Sequence, residues 1–223
     1  MITEPRTQAF TLGIDATNIR SGGGLTHLVE LLRAARPEAH GIRSVVVWGG
    51  TNTLTALADR PWLDKQNLQI MDKGLLQRTI WQYFFLSNAA RTEGCDLLFI
   101  PGGSHAGNFN PMVSMSQNLL PFEMAELRRF GWTLFTLKFL LLRLTQSHSF
   151  KKADGVIFLT KFAQDMVLNV IGELRSRTCI VPHGVNSRFK SAPKLQRSIT
   201  KYNDTNPYRL IYVSIIHQYK HQW

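Results

Sequence analysis

The chain has 223 residues, 44% hydrophobic and 10% aromatic, which excludes disordered and fibrous classes and leaves room for one large or two small globular domains. Its 26 Lys and Arg against 15 Asp and Glu give a formal net charge of +11. This points to an anionic partner: nucleic acid, a membrane surface or a phosphorylated ligand. Residues 1–122 carry 10 basic and 9 acidic side chains and residues 123–223 carry 16 and 6, so the excess lies in the second half.

At the start, Met1–Thr11 is polar and acidic with no apolar h-region, which argues against a secretory signal and for a cytoplasmic setting. A strand is predicted at Thr11–Asp15. Ser21-Gly22-Gly23-Gly24 then leads into a helix over Leu25–Arg36, where Leu28, Val29, Leu31, Leu32 and Ala35 share one stripe. Short apolar runs at Val45–Trp48, Leu68–Met71, Leu97–Ile100, Val113–Ser116, Val156–Leu159 and Cys179–Val181 read as further strands. Several are continuous instead of alternating, as in parallel strands covered on both faces. Helical spacing over Leu75–Ala90 and Phe162–Ile171 completes a β-α-β order, which predicts an α/β fold with an open, doubly wound Rossmann-like parallel sheet.

The most apolar stretch, Phe130–Leu144, is about 15 residues and is interrupted by Lys138 and Arg143, whereas a bilayer span takes about 20. Around it, Phe130, Trp132, Phe135 and Phe139 mix with Arg128, Arg129, Lys138, Arg143, Lys151 and Lys152. That pairing suits a helix lying on anionic lipid; the alternative is a core helix with basic ends. Cys95 and Cys179 sit in apolar runs without C-x-x-C spacing and are expected to be reduced core residues. Ser187–Pro207 is polar and Pro-containing and reads as a linker, after which Arg209–Ser214 reads as one more strand. The expected division is therefore a domain over 1–186, a linker over 187–208, and the opening of a second, truncated domain over 209–223.

Two places carry candidate chemistry. Gly22, Gly23 and Gly24 bring backbone N–H groups and a positive helix end to the sheet's carboxyl edge, a cradle for phosphate or sugar hydroxyls. The spacing is neither G-x-G-x-x-G nor a P-loop, and Trp48-Gly49-Gly50 follows the second strand where an acidic ribose ligand would stand, which counts against NAD and P-loop enzymes. After the fourth strand, Pro101–Gly107 includes His105, an imidazole able to orient a hydroxyl or phosphate; the alternative is a loop-exposed histidine. In the next loop, Gln117–Glu123, the acidic Glu123 reads as a helix cap. No Asp-x-Asp pair occurs, so no metal is expected.

GIDATNIRSGGG (Gly13–Gly24), SQNLLPFE (Ser116–Glu123), KKADGVIFLTKFAQD (Lys151–Asp165) and IVPHGVNSRF (Ile180–Phe189) follow one another in an order that resembles the amino-terminal half of GT-B-fold glycosyltransferases of retaining family 4. The resemblance spans nearly the whole chain. It implies that the glycine turn approaches donor phosphates and acceptor, and that His183-Gly184-Val185-Asn186 is the family's HGVD-like turn with Asn for Asp. It also aligns RLIYVSIIHQYKHQ with the strand and G-R-x-x-x-x-K-G of a nucleotide-binding domain. Lys220 then matches the phosphate-binding lysine, while Ser214, Ile215 and His221 replace Gly, Arg and Gly. The donor-holding E-x7-E would fall past Trp223, so the chain as given is expected to be an inactive fragment.

The function these readings imply is transfer of a sugar from a nucleotide-diphosphate-sugar, a substrate and not a resident cofactor, to a lipid-linked or polysaccharide acceptor. No nucleic acid partner is expected, and peripheral contact with an anionic inner membrane is. The runner-up is a non-catalytic Rossmann-like module that binds nucleic acid through Arg175, Arg177, Arg188, Lys190, Lys194, Arg197 and Lys201; no RRM, KH or helix-turn-helix pattern accompanies that cluster.

Overall fold

The structure, a computed structural model, describes residues 9–193, 195, 197–214, 216 and 218–221; Lys194, Ile215 and Trp223 lie outside the described residues. Two compact units are present, Met1–Pro182 and His183–Trp223.

In the first unit seven strands form one sheet: β1 (Phe10–Asp15), β2 (Ile42–Trp48), β3 (Leu63–Gln66), β4 (Leu97–Ile100), β5 (Met112–Ser116), β6 (Gly155–Phe158) and β7 (Arg177–Ile180). Their order is β3-β2-β1-β4-β5-β6-β7, and every neighbouring pair is parallel. This is a Rossmann-like doubly wound fold. The winding reverses between β1 and β4, and such sheets bind ligands outside the carboxyl ends of their strands at that reversal.

The helices are α1 (Gly22–Ala34), α2 (Thr51–Ala56), α3 (Leu75–Trp81), a π-helical turn (Gln82–Leu86), α4 (Ser87–Thr92), α5 (Met124–Arg128), α6 (Leu134–Lys152) and α7 (Lys161–Ile171). Strand β2 shows why its apolar run is continuous. Val45 and Val47 pack with Leu28 and Leu32 of α1 and Leu54 of α2, while Val46 and Trp48 belong to the cluster containing Trp81, Leu86, Phe150 and Val167 on the helices of the opposite face. Gly13 is fixed by close packing: a Cβ there would lie 3.0 Å from both Leu98 Cδ1 and Trp48 Cζ3. At full burial, Phe150 is the kind of side chain whose truncation to Ala costs about 3–5 kcal/mol.

Several expectations need correction. Leu68–Met71 is no strand; a 3-10 turn spans Gln69–Asp72, and the strand is β3 at Leu63–Gln66. That strand lies at the sheet edge, where Asp64, Lys65 and Gln66 are tolerated and dilute the apolar signal. Arg209–Ser214 is not a strand either. Leu210, Ile211 and Val213 are exposed, and no neighbouring strand pairs with the segment among the described residues. The glycines do not precede α1 but form its first turn.

Cys95 is buried, as expected, but Cys179 is exposed because every residue of edge strand β7 is exposed. Burial, with smaller effects from Glu93 and Asp96, pushes the Cys95 thiol up to about 11, so it stays protonated at neutral pH. Brief iodoacetamide treatment of the native protein at pH 8 is expected to alkylate Cys179 alone, with Cys95 reacting only in denaturant. Peptide mass spectrometry checks this, and equal native labelling of both would contradict the burial of Cys95.

Helix α6 settles where its leucines go. It buries Thr136, Gln146, Ser149 and Phe150, whereas Leu134, Leu137, Leu141 and Leu144 are exposed, as is Trp132 just ahead of it. Phe130, Phe135 and Phe139 form a ladder with successive centroids 4.5 Å apart. No acidic residue occurs in α6. Among the described residues, no helix is long and apolar enough to cross a membrane.

Candidate functional site

The last residue of β1, Asp15, is 3% exposed and lies at the winding reversal. Its Oδ1 accepts from the Thr17 hydroxyl at 2.6 Å and the Thr17 N–H at 3.2 Å. Oδ2 accepts from Gln82 Nε2, which also donates to the Ser104 carbonyl at 3.3 Å. Gln82 reaches this point from the first position of the π-helical turn, a departure from regular helix often found at functional sites.

His105 faces the same carboxylate. Its Nδ1 is 3.6 Å from Asp15 Oδ2, both side chains are 1% exposed, and neither ring nitrogen has a hydrogen-bond partner. The imidazole is therefore enclosed, not displayed on a loop surface. Its backbone is pinned: the His105 N–H donates to Ser149 Oγ at 2.7 Å, and that hydroxyl lies 2.9 and 3.1 Å from the Thr145 and His105 carbonyls. Gly107 lets the loop turn against the ring, since a Cβ there would be 2.9 Å from His105 Nε2 and from Ser87 Oγ. Lys152 Nζ donates to the Gly107 carbonyl at 3.1 Å, so this cation anchors the loop. Ser104 Oγ, Ser116 Oγ and Gln146 Oε1 are also buried without partners in the protein. The carboxyl ends of β1, β4 and β5 thus concentrate polar groups that protein contacts leave unsatisfied, a pattern that calls for water or ligand.

Gly22, Gly23 and Gly24 occupy the first three positions of α1, whose leading N–H groups have no intrahelical partners. The N-cap Ser21 makes no side-chain cap bond, and no acidic residue sits in the first turn. A Cβ on Gly22 or Gly23 would meet nothing within 4 Å, and one on Gly24 would lie 3.9 Å from Gln117 Oε1, which follows β5. Only Gly22 has a positive φ, at +67°, so the left-handed conformation is required there and not at Gly23. Gly23→Ala is accordingly expected to leave stability unchanged or raise it by up to about 1 kcal/mol, through helix propensity. Gly22→Ala should lower it by about 1–2 kcal/mol, through the left-handed backbone. Urea denaturation checks the contrast; equal effects at the two positions would contradict it.

The remaining candidates fall elsewhere. Glu123 holds the N-cap position of α5, but its side chain makes no cap bond. Trp48-Gly49-Gly50 has a packing explanation: Trp48 is core, and a Cβ on Gly50 would meet Asp72 Oδ1 at 2.8 Å and the Met71 carbonyl at 3.1 Å. Lys220 belongs to the second unit, in a 3-10 turn at Gln218–Lys220, with its ammonium 5.1 Å over the Tyr219 ring. Asp15, Thr17 and Gln82 were not singled out from sequence. The available signal was a carboxylate closing an otherwise apolar strand, FTLGID, where burial demands partners. In the comparisons with known proteins, no family model matches the chain and no curated protein matches it.

Proposed function

We propose that this chain is the acceptor-side half of a retaining GT-B glycosyltransferase similar to family 4. It would move a sugar from a nucleotide-diphosphate-sugar to a hydroxyl of a lipid-linked or polysaccharide acceptor at the inner membrane surface. The observation that carries the reading is the His105–Asp15 pair at the winding reversal of the sheet, where the fold offers a ligand crevice. Retaining chemistry of this kind asks for no protein nucleophile from this half. It asks for positioned hydrogen-bonding groups and stabilised phosphate charge. Here His105 serves the sugar or acceptor hydroxyl, with Asp15 orienting the ring, and the open Gly22–Gly24 turn serves the donor diphosphate. The unsatisfied Ser104, Ser116 and Gln146 atoms suit a hydroxyl-rich ligand.

Membrane contact belongs to the same reading. The exposed leucines of α6 and Trp132, with Arg128, Lys138 and Lys151 exposed among them, support docking on anionic lipid.

The test is transfer of labelled sugar from a panel of nucleotide-diphosphate-sugars to extracted membrane lipids, using the whole protein that contains this chain. His105→Ala is expected to lower turnover at least a hundredfold, the scale on which a positioned hydrogen-bonding group contributes to catalysis. Absence of any nucleotide-sugar binding, together with salt-steep binding of oligonucleotides, would overturn the reading in favour of a nucleic-acid module.

A further inference from the structure

Arg78, on α3, is a buried cation without a counter-ion. It is 7% exposed, and its Nη1 donates to two neutral acceptors in the loop after β1, the Thr17 carbonyl at 2.7 Å and Asn18 Oδ1 at 3.0 Å. Its Nε is buried without any partner, and among the described residues no carboxylate lies within ion-pair distance. Asp15 is linked to it only through Thr17. Burial, and then the neighbouring Arg20, both push the Arg78 guanidinium below its ordinary value, so a second cation presses on the first. Arg20 is exposed and held only loosely, by a 3.4 Å bond from Nη1 to the Lys73 carbonyl. Asp72, the acid whose carboxyl Arg20 helps hold low, already accepts from the Thr51 N–H at 2.8 Å and the Thr51 hydroxyl at 2.5 Å.

Buried charges in proteins are normally paired, and leaving one unpaired is costly. Two guanidinium groups at one loop, neither of them in an ion pair among the described residues, make an arrangement that an anion would complete. The loop that Arg78 grips and to which Arg20 belongs, Ala16–Ser21, runs directly into the first turn of α1, where uncapped N–H groups, with open space at Gly22 and Gly23, supply further donors. We propose that Arg78 and Arg20, with the Gly22–Gly24 turn, bind a phosphoryl group of a ligand. Arg suits this role because its fork can grip phosphate oxygens while Nη1 keeps the loop in place. The proposal deepens the glycosyl-transfer reading by adding a cationic phosphate site within the first unit, but it rests on the arginines and not on sugar transfer.

The test is calorimetric titration of the whole chain with inorganic phosphate and with pyrophosphate, at constant ionic strength set with chloride. Saturable binding is expected. It should weaken at least tenfold in Arg20→Ala and in Gly23→Val, with circular dichroism showing both still folded. Arg78→Lys keeps a cation and a donor to the loop but loses the fork, and is expected to weaken binding similarly where it folds. Competition distinguishes the source of the phosphoryl group: a nucleoside diphosphate competes if the donor supplies it, and glycerol phosphate competes if a phosphorylated acceptor does. No saturable binding by the folded parent, or parental affinity in folded Arg20→Ala, would overturn the proposal. Phosphate binding without any sugar transfer would instead sink the glycosyl-transfer reading and leave this site standing.

Discussion

Asp15→Ala is expected to lower the stability of the first unit by about 4 kcal/mol. Three donors converge on this carboxylate, the Thr17 N–H, the Thr17 hydroxyl and Gln82 Nε2, and the residues that supply them are all buried. A buried donor left without an acceptor costs about 1–3 kcal/mol, and the three are not additive, since Thr17 and Gln82 can relax toward one another's space. Asp15→Asn keeps the volume and one acceptor oxygen, so about half that loss is expected. Urea denaturation followed by circular dichroism gives both values. A loss under about 1 kcal/mol for Asp15→Ala would show that the carboxylate does not organise the ends of β1 and β4. The same variant bears on function, because without Asp15 the His105 ring loses the group that faces its Nδ1 at 3.6 Å. His105→Ala leaves the three donors of Asp15 in place. It is therefore expected to be the milder change in stability and, by the proposed function, a severe one in activity.

The second large effect concerns lipid. Vesicles rich in anionic lipid are expected to sediment the protein more strongly than neutral ones, and added salt should weaken the interaction. Arg128, Lys138 and Lys151 are exposed cations flanking or lying on α6. Replacing all three with Ser should remove about 1 kcal/mol per cation near the surface, together roughly a hundredfold in partitioning. Arg129 and Lys152 are poorer choices, since Arg129 is paired with Glu126 at 3.2 Å and Lys152 holds the Gly107 carbonyl. Leu137→Ser with Leu141→Ser isolates the apolar contribution. Both leucines are exposed, so lipid binding should fall while the melting temperature stays put. Equal sedimentation with neutral and anionic vesicles, or an unmoved triple variant, would overturn the membrane face.

By itself the sequence determined the fold class. The runs at β2 (Val45–Trp48), β4 and β6 are apolar on both faces because helices cover both, and that burial is written residue by residue. It failed where burial fails to leave such a trace: at β3, an edge strand of Leu63, Asp64, Lys65 and Gln66, and at Arg209–Ser214, which pairs with no strand among the described residues. It also could not assign the faces of α6, because apolar residues surround most of that helix; the packing chose Gln146, Ser149 and Phe150 for the inside and left Leu134, Leu137, Leu141 and Leu144 outside. The candidate site shows the same division. Gly22–Gly24 was legible, since consecutive glycines ahead of a helical stripe are a local signal. Joining Asp15 to Gln82 and His105, and Arg78 to Thr17, required the winding reversal of the sheet to bring residues 61 to 90 positions apart into contact. Nothing in the spacing of these residues along the chain announces that contact, because it arises from strand order, and only the tertiary structure sets which strand ends meet.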